Sequence, residues 1–534
     1  METSLRLLSS ARSSMKVTSN ALPFLQAQIL KRIYTNISQK KSTSMKELSE
    51  LTGLNENSKI LSKAVVSLVS KGFILYNGDE EIQYSVPYSR LELYENIIVE
   101  KKLDKDALSD FILEYFTKLP KQEKIIARRA VELNDAGVVH KWYNYLEDFP
   151  YKLISDKFAE YGITTKDVVL DPFCGSGTTL VASTFCGVPS IGFDANPLMA
   201  FVSKVKTTWD INLDQYKQNV IKISKTFLDK VGKLEKITFK NNFLKNMPKK
   251  EINQWLSERL QKEVSLLKDI IEDVAVKDIE ELLLMAMSKS CFDASYVALC
   301  PGTTFYPLRK KEPFWKIFST SVIQIFEDLQ EIQALNKEWT KANTVNDTIL
   351  SVRDYLKDDS ISFVITSPPY PNDLEYTRQT RLELYLLDFV KNMDEVQKIK
   401  KKMIKSSTKL IFKDISSVDK IRDHETIGEI ASAIYEKTKD KDWGFDYPRM
   451  VKEYFGDMYL AMEGIYPKLK SGGHFLLVVG NQTVQGVLIP VGDILIDLAQ
   501  KIGYVNCHKE TFRTRRSANH NIPLDEEVVT LEKK

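Results

Sequence analysis

The chain has 534 residues, more than one hydrophobic core can organise, so several domains are expected. With 43% hydrophobic and 28% charged residues it reads as a soluble globular protein, and a formal charge of +3 does not by itself demand a polyanionic partner. Cysteines 174, 186, 291, 300 and 507 show no CxxC pairing and the five histidines are scattered, so neither a disulfide framework nor a metal site is expected. No apolar run is long enough to span a bilayer or to serve as a signal-peptide core; a cytoplasmic protein without membrane attachment is expected.

The charge is unevenly placed. Met1 to Lys71 carries eleven Lys or Arg against four Glu, and Lys398 to Lys413 holds seven lysines before the next acid. Such runs suit a polyanion and equally suit a solvated face. In the first block, "LPFLQAQILKRIY" has helical apolar spacing, "MKELSELTGL" gives a second helix, and "NENSKILSKAVVSLVSKGF" a third opened by Asn or Ser caps. "FILYNGDEEIQYSVP" then reads as a hairpin around Asn77-Gly78. That order resembles a winged helix over residues 1–90, and the resemblance implies a DNA-binding module with Lys59, Lys63 and Lys71 on or at the end of its third helix. Protein contact is the other common use of such a module. Residues 91–138 read as a helical linker.

A different texture follows. "KDVVLD" is a short apolar strand, "PFCGSGTT" a glycine-rich turn, "LVASTFCG" a helix stopped by Gly187, and "PSIGFDANP" the next strand. This βαβ unit predicts an α/β, doubly wound Rossmann-like sheet. Residues 139–206 form its cofactor half. Residues 207–343 are helical and charged, too long for a crossover, and read as an inserted subdomain. The catalytic half, 344–534, resumes with "NDTILSVRD" and "ISFVITSPPY", contains a Lys-rich helical insertion at 382–462, and ends on "GGHFLLVVGN", a helix near 491–502 and a strand pair.

In "VLDPFCGSGTT" an acid ends the first strand and glycines stand at 175 and 177, where backbone can approach a ligand and take positive φ. A glycine turn alone is also an ordinary structural feature. Asp194, at the end of the next strand, sits where an acid accepts both hydroxyls of a ribose. The missing GxGxxG argues against a pyrophosphate cradle. Asp171 suits a cationic α-amino group, which favours S-adenosylmethionine over a dinucleotide.

"DPFCGSGTT" together with "TSPPY" resembles the amino-group DNA methyltransferases, which modify cytosine N4 or adenine N6. The resemblance covers roughly 139–206 and 345–534. It implies a methyltransferase sheet with a terminal antiparallel hairpin and S-adenosylmethionine as cofactor. Asp171, Pro172, Phe173, Cys174, Gly175, Ser176, Gly177 and Thr178 would hold its methionine part, Asp194 its ribose, and Asp354 would lie near the adenine amino group. Phe149, with His140 and Pro150 in the segment before the turn, would help enclose the cofactor, and Phe173 and Pro197 would pack the adenine.

The same resemblance makes Ser367, Pro368, Pro369 and Tyr370 the catalytic corner. An exocyclic amine is a poor nucleophile because its lone pair is delocalised into the ring. The enzyme must hold that nitrogen in line with the methyl group and accept its hydrogen bonds. The prolines fix φ and carry no N–H, so the corner's carbonyls face outward as acceptors; Ser367 adds a hydroxyl and Tyr370 a stacking ring. The target base must be flipped out of the duplex to reach them.

Ser at the first position is commoner among cytosine N4 enzymes, and Asp or Asn among adenine N6 enzymes. The resemblance therefore implies a site-specific cytosine-N4 DNA methyltransferase of a restriction–modification system, with adenine N6 as the alternative. RNA base methylation and a non-catalytic winged-helix regulator are the remaining readings. No Pro-Cys pair follows a strand, as carbon-5 chemistry would need. Double-stranded DNA is the expected partner, with a separate cognate endonuclease and a monomer or weak dimer. Arg378, Arg381, Arg513, Arg515 and Arg516 are candidate phosphate contacts.

Overall fold

The computed structural model describes residues 149–299, 312–335, 339–517 and 521–534, with shorter pieces at 29, 43–52, 74–76, 81–84, 111–118, 133–134, 137–143 and 303–305. They fall into two compact units, Met1–Ile126 and Ala127–Lys534.

In the first unit a two-residue strand β1 (Thr43–Ser44) precedes the helix Met45–Thr52, followed by β2 (Ile74–Tyr76) and β3 (Glu81–Tyr84). The three strands form an antiparallel sheet in the order β1-β3-β2, with Tyr76 opposite Ile82 and Thr43 also opposite Ile82. The hairpin expected from the sequence therefore has a third strand, too short to carry a periodic signal. The expected third helix with Lys59, Lys63 and Lys71, and the turn at Asn77-Gly78, lie outside the described residues.

The second unit is built on a seven-stranded sheet. Its strands are β4 (Val169–Asp171), β5 (Ser190–Phe193), β8 (Asn343–Val345), β9 (Ile361–Thr366), β10 (Leu469–Gly480), β13 (Tyr504–Arg516) and β14 (Pro523–Lys533). The order is β13-β14-β10-β9-β4-β5-β8. From β8 to β10 neighbours are parallel, whereas β14 is antiparallel to both β10 and β13. This is the doubly wound methyltransferase sheet with its terminal hairpin. The chain winds outward in opposite directions from β4 and β9, so a crevice opens beyond their carboxyl ends.

Local sequence explains these elements. β9, "ISFVIT", is a short β-rich run buried on both faces, as a central parallel strand should be. Val364 packs with the helices Tyr447–Ile465 and Val491–Ile502 on one side, and Phe363 and Ile365 with Ile154, Phe158 and Ala182 on the other. The helix Thr178–Cys186 ends at Gly187, whose left-handed φ of 72° lets its N–H reach the last carbonyls. Asn196 caps the helix Pro197–Lys206 by accepting from Leu198 N, with proline at the first turn.

The first insertion is an array of four long helices, Leu213–Val231, Glu258–Val274, Lys277–Ala294 and Phe314–Gln333, each packed on its neighbours. A small antiparallel hairpin, β6 (Val297–Leu299) with β7 (Thr303–Phe305), joins the last two. The second insertion is shorter than the sequence suggests. Tyr447–Ile465 buries Val451, Tyr454, Met458 and Met462 against the sheet and serves as its own crossover helix. A further hairpin, β11 (Gln482–Val484) with β12 (Val487–Ile489), follows β10. Among the described residues no helix is long and apolar enough to cross a membrane.

Candidate active site

Each chemical group of the site follows a strand's carboxyl end. After β4 comes the turn to Gly177, after β5 Asp194, after β8 Thr348 and Ile349, and after β9 the corner Ser367–Tyr370. They border one cleft of about 920 Å3, counted with its open mouth.

In the glycine turn, Gly175 has φ 49° and Gly177 φ 90°. A Cβ at 177 would stand 2.8 Å from the Cβ of Ser203, so only glycine lets the turn sit on the helix behind it. At 175 a Cβ would meet nothing within 4 Å, and its N–H donates to Asp194 Oδ2 at 3.0 Å. The other oxygen of Asp194 accepts from Asn196 N at 2.7 Å. Each oxygen thus has one backbone donor and an outer lone pair left for a ligand hydroxyl. Burial, helped by the charge of Asp171, pushes Asp194 up to about 7. Part of its surface stays open to the cleft, and solvent there offsets some of that push.

Asp171 is placed differently from expectation. Its carboxylate is buried and does not line the cleft. Oδ1 accepts from Phe173 N at 3.1 Å and from Thr366 Oγ1 at 2.5 Å, bracing the turn from behind and joining it to the end of β9. Oδ2 is buried without a partner, and burial pushes the carboxyl up to about 6. Ser176 and Gly177 also lie behind the cleft wall: Ser176 is fully buried beside Lys206 Nζ at 3.3 Å, and Gly177 packs on Ser203. Pro172, Phe173, Cys174, Gly175 and Thr178 line the cleft, as does Phe149.

Three further expectations are corrected. Asp354 stands on the exposed side of the short helix Val352–Tyr355, whose buried residue is Val352, and does not line the cleft. His140 is a core residue: its Nε2 pairs with Asn134 Oδ1 at 2.8 Å and its ring stacks on Tyr151, and burial holds its pKa well below the ordinary value. Pro197 opens its helix without lining the cleft.

At the corner, the Oγ of Ser367 and the hydroxyl of Tyr370 are 3.3 Å apart, and Tyr370 donates to Val478 O at 3.5 Å. Pro368, Pro369 and both flanking residues line the cleft. The chain just beyond is clamped at Asp373, a non-glycine residue at φ 63°. Its Oδ1 accepts from Ser407 Oγ, Thr408 N and Thr408 Oγ1, each at 2.8 Å. That clamp draws in the Lys-rich segment, and Lys402, Met403 and Ile404 become a wall of the same cleft. Lys402 Nζ pairs with Asp347 at 2.9 Å. This wall was not legible in the sequence, because a lysine run reads as surface. Asn196, which caps the helix Pro197–Lys206, also donates its side-chain amide to Thr380 Oγ1 at 2.9 Å.

The arginines are engaged within the fold. Arg381 pairs with Glu251 at 2.9 Å, and Arg513 and Arg515 both pair with Glu526.

Comparison with known proteins agrees with this geometry. The N6/N4 methyltransferase family model, described as DNA methylase, matches residues 134–205, the segment containing Phe149, the glycine turn and Asp194. Residues 134–205 thus match an amino-group DNA methyltransferase domain, and the curated relatives extend the similarity over most of the chain. It is 25% identical over 428 residues to the type II methyltransferase M.BsoBI of Geobacillus stearothermophilus, covering 72% of this chain and 82% of that one. It is 22% identical over 405 residues to M.AvaI of Anabaena variabilis (71% and 81% of the two chains) and 20% identical over 439 residues to M.MvaI of Kocuria varians (74% and 91%). The apo crystal structure of the S-adenosylmethionine-dependent methyltransferase SibL aligns over 96% of each chain at 7% identity, with a TM-score of 0.23. At that score the fold assignment rests on the strand order alone.

S-adenosylmethionine is the cofactor of this methyltransferase and DNA its substrate. The cleft fits the cofactor's chemistry: an open approach to the backbone at Gly175, acceptor positions on Asp194 for hydroxyls, and apolar walls from Phe149, Phe173, Met199 and Ile349 for an adenine.

Proposed function

We propose that this enzyme methylates the exocyclic N4 of cytosine at a short specific site in duplex DNA, as the modification partner of a restriction endonuclease carried on another chain. The observation that carries the reading is the meeting of two motifs far apart in the chain: Gly175 and Asp194 share one cleft with Ser367, Pro368, Pro369 and Tyr370. The similar chains are type II methyltransferases by name, which supports the restriction–modification setting.

S-adenosylmethionine supplies an electrophilic sulfonium methyl group. Phe173, Cys174, Gly175 and Thr178 hold its methionine part and Asp194 orients its ribose, with Asp171 bracing the turn beneath. At the corner, Ser367 Oγ and the carbonyl of Pro368 accept the two amine hydrogens, so electron density remains on nitrogen and its lone pair is aimed at the methyl group. The prolines offer no competing N–H, and Tyr370 stacks on the flipped base. Ser367, rather than Asp or Asn, favours cytosine N4; adenine N6 uses the same acceptors and is the alternative.

The first unit is proposed as a winged-helix DNA contact. The helix Met45–Thr52 after β1, and the three-stranded sheet with its hairpin, support that reading. A monomer or weak dimer is proposed for the enzyme in solution.

The test is transfer of a labelled methyl group to duplex DNA, followed by digestion to nucleosides and chromatography. Label in N4-methylcytosine supports the proposal, label in N6-methyladenine moves the base and keeps the mechanism, and label confined to RNA overturns it.

A further inference from the structure

We infer that the loop between helices Glu425–Thr438 and Tyr447–Ile465 is an aromatic wedge that stacks against duplex DNA beside the flipped base; this rests on the DNA methylation proposed above. Two large rings there face solvent. Trp443 is 54% exposed and Phe445 63%, whereas the other five tryptophans of the chain are buried or half-buried. Gly444 between them takes φ 86°, and a Cβ there would press on the Tyr447 ring at 3.1 Å, so the turn that displays the two rings depends on glycine.

The loop is tied at one end to the chain just beyond the catalytic corner and at the other to the hairpin that follows β10. On one side, two residues after Phe445, the Tyr447 hydroxyl donates to Asp373 Oδ2 at 3.3 Å, and Asp373 lies three residues beyond Tyr370. On the other, Lys441 Nζ donates to Gln485 Oε1 at 2.9 Å. Gln485 is the turn of the β11–β12 hairpin, which leaves the end of β10 just after Val478, the acceptor of Tyr370. Lys441 Nζ also sits over one face of the Trp443 ring, 4.8 Å from its centre, and leaves the other face to a stacking partner. Neither ring lines the cleft itself, but both anchors run to segments that adjoin the catalytic corner, which ties the loop's position to the side where a base must enter.

The chemistry favours bases over phosphates. The loop carries Lys439 and Lys441 against Asp440, Asp442 and Asp446, so it has no net positive charge with which to hold a backbone. What it offers is two π faces, and every base presents a π face once its neighbour leaves the stack. Flipping a paired base costs a few kcal/mol of unstacking and unpairing, which a wedge filling the gap offsets.

The test uses the full-length enzyme and duplex oligonucleotides carrying the site mapped by sequencing methylated plasmid DNA. One duplex is fully paired; the other has a mismatch at the target base, which flips at lower cost. The Trp443→Ala, Phe445→Ala double variant should lose at least tenfold in kcat/KM on the paired duplex and threefold or less on the mismatched one. Trp443→Phe, which keeps a ring, should stay within threefold of wild type on both. Equal losses on the two duplexes would mean a structural role, and no loss at all would mean the rings do not meet DNA; either result overturns the wedge. Unchanged transfer with a shift in sedimentation of the double variant would instead assign the rings to a contact between two copies. A wild-type enzyme that methylates neither duplex would refute the underlying methylation reading itself.

Discussion

Thr366 donates its hydroxyl hydrogen to Oδ1 of Asp171 at 2.5 Å. The bond joins the last residue of β9, immediately before the catalytic corner, to the last residue of β4, immediately before the glycine turn. A buried acid thereby sets the spacing of the two halves of the active site, although it touches neither ligand.

That arrangement has a pH signature. Folded Asp171 keeps its proton up to about pH 6 because of burial, against an ordinary value of 3.8. Between those values the folded state binds more protons than the unfolded one, so this residue's contribution to stability falls as pH rises through the window and is level above it. Asp171→Asn removes the titration, and its stability relative to wild type should climb from pH 4 to pH 7 in urea unfolding. Thr366→Val strips a partner from the buried acid and should cost about 1–3 kcal/mol at pH 7. A flat difference between Asp171→Asn and wild type across that range would contradict the assignment.

Asp194 governs the cofactor. Hydroxyl donors favour the ionised carboxylate, so binding lowers its pKa from about 7 and releases a proton. Affinity for S-adenosylhomocysteine, measured by calorimetry, should therefore rise with pH up to about 7 and level off above it. Asp194→Asn should bind at least tenfold more weakly and show a flatter profile.

The two glycines of the turn separate stability from binding. Gly177→Ala adds a Cβ against Ser203 at a positive φ and should lower stability by about 2–4 kcal/mol. Gly175→Ala meets no protein atom, so its cost is limited to about 1–2 kcal/mol of left-handed backbone strain. Its new methyl group stands where the cofactor approaches, and cofactor affinity should fall while the melting temperature changes little.

Cys174 lines the cleft, and the proposed transfer gives it no nucleophilic role. Burial and the neighbouring Asp194 and Asp171 push its thiol well above the ordinary range, and the sulfur sits 3.7 Å from Ser203 Oγ. Those surroundings disfavour a thiolate at neutral pH. Cys174→Ser should retain methyl transfer within about threefold, as a direct attack by an amine requires. Complete loss in a correctly folded variant would point to covalent catalysis.

The legible parts of the site were those where backbone geometry dictates residue type. Gly175, Gly177 and the Pro368–Pro369 pair announce their turns, and the apolar runs of β4 and β9 place those turns at the carboxyl ends of central strands. What stayed hidden depends on tertiary contact. The acid expected at Asp354 missed the cleft because β8 is short and half-exposed, leaving its end without a periodic signal. The residues that face the cleft there are Thr348 and Ile349. Lys402, Met403 and Ile404 are brought in by the clamp at Asp373, a contact across 34 residues that no local pattern encodes. Asp171 was expected to face the cofactor's amino group; only its bond to Thr366 and its buried position reveal that it braces the turn.

The measurement to make is modification-sensitive sequencing of plasmid DNA from cells expressing the enzyme or its Ser367→Ala, Pro368→Ala variant. N4-methylcytosine at one short motif, abolished or strongly reduced in the variant, is the expected result. Plasmid DNA equally modified in both, or modified in neither, would contradict the assignment of the Ser367–Tyr370 corner to methyl transfer on a DNA base.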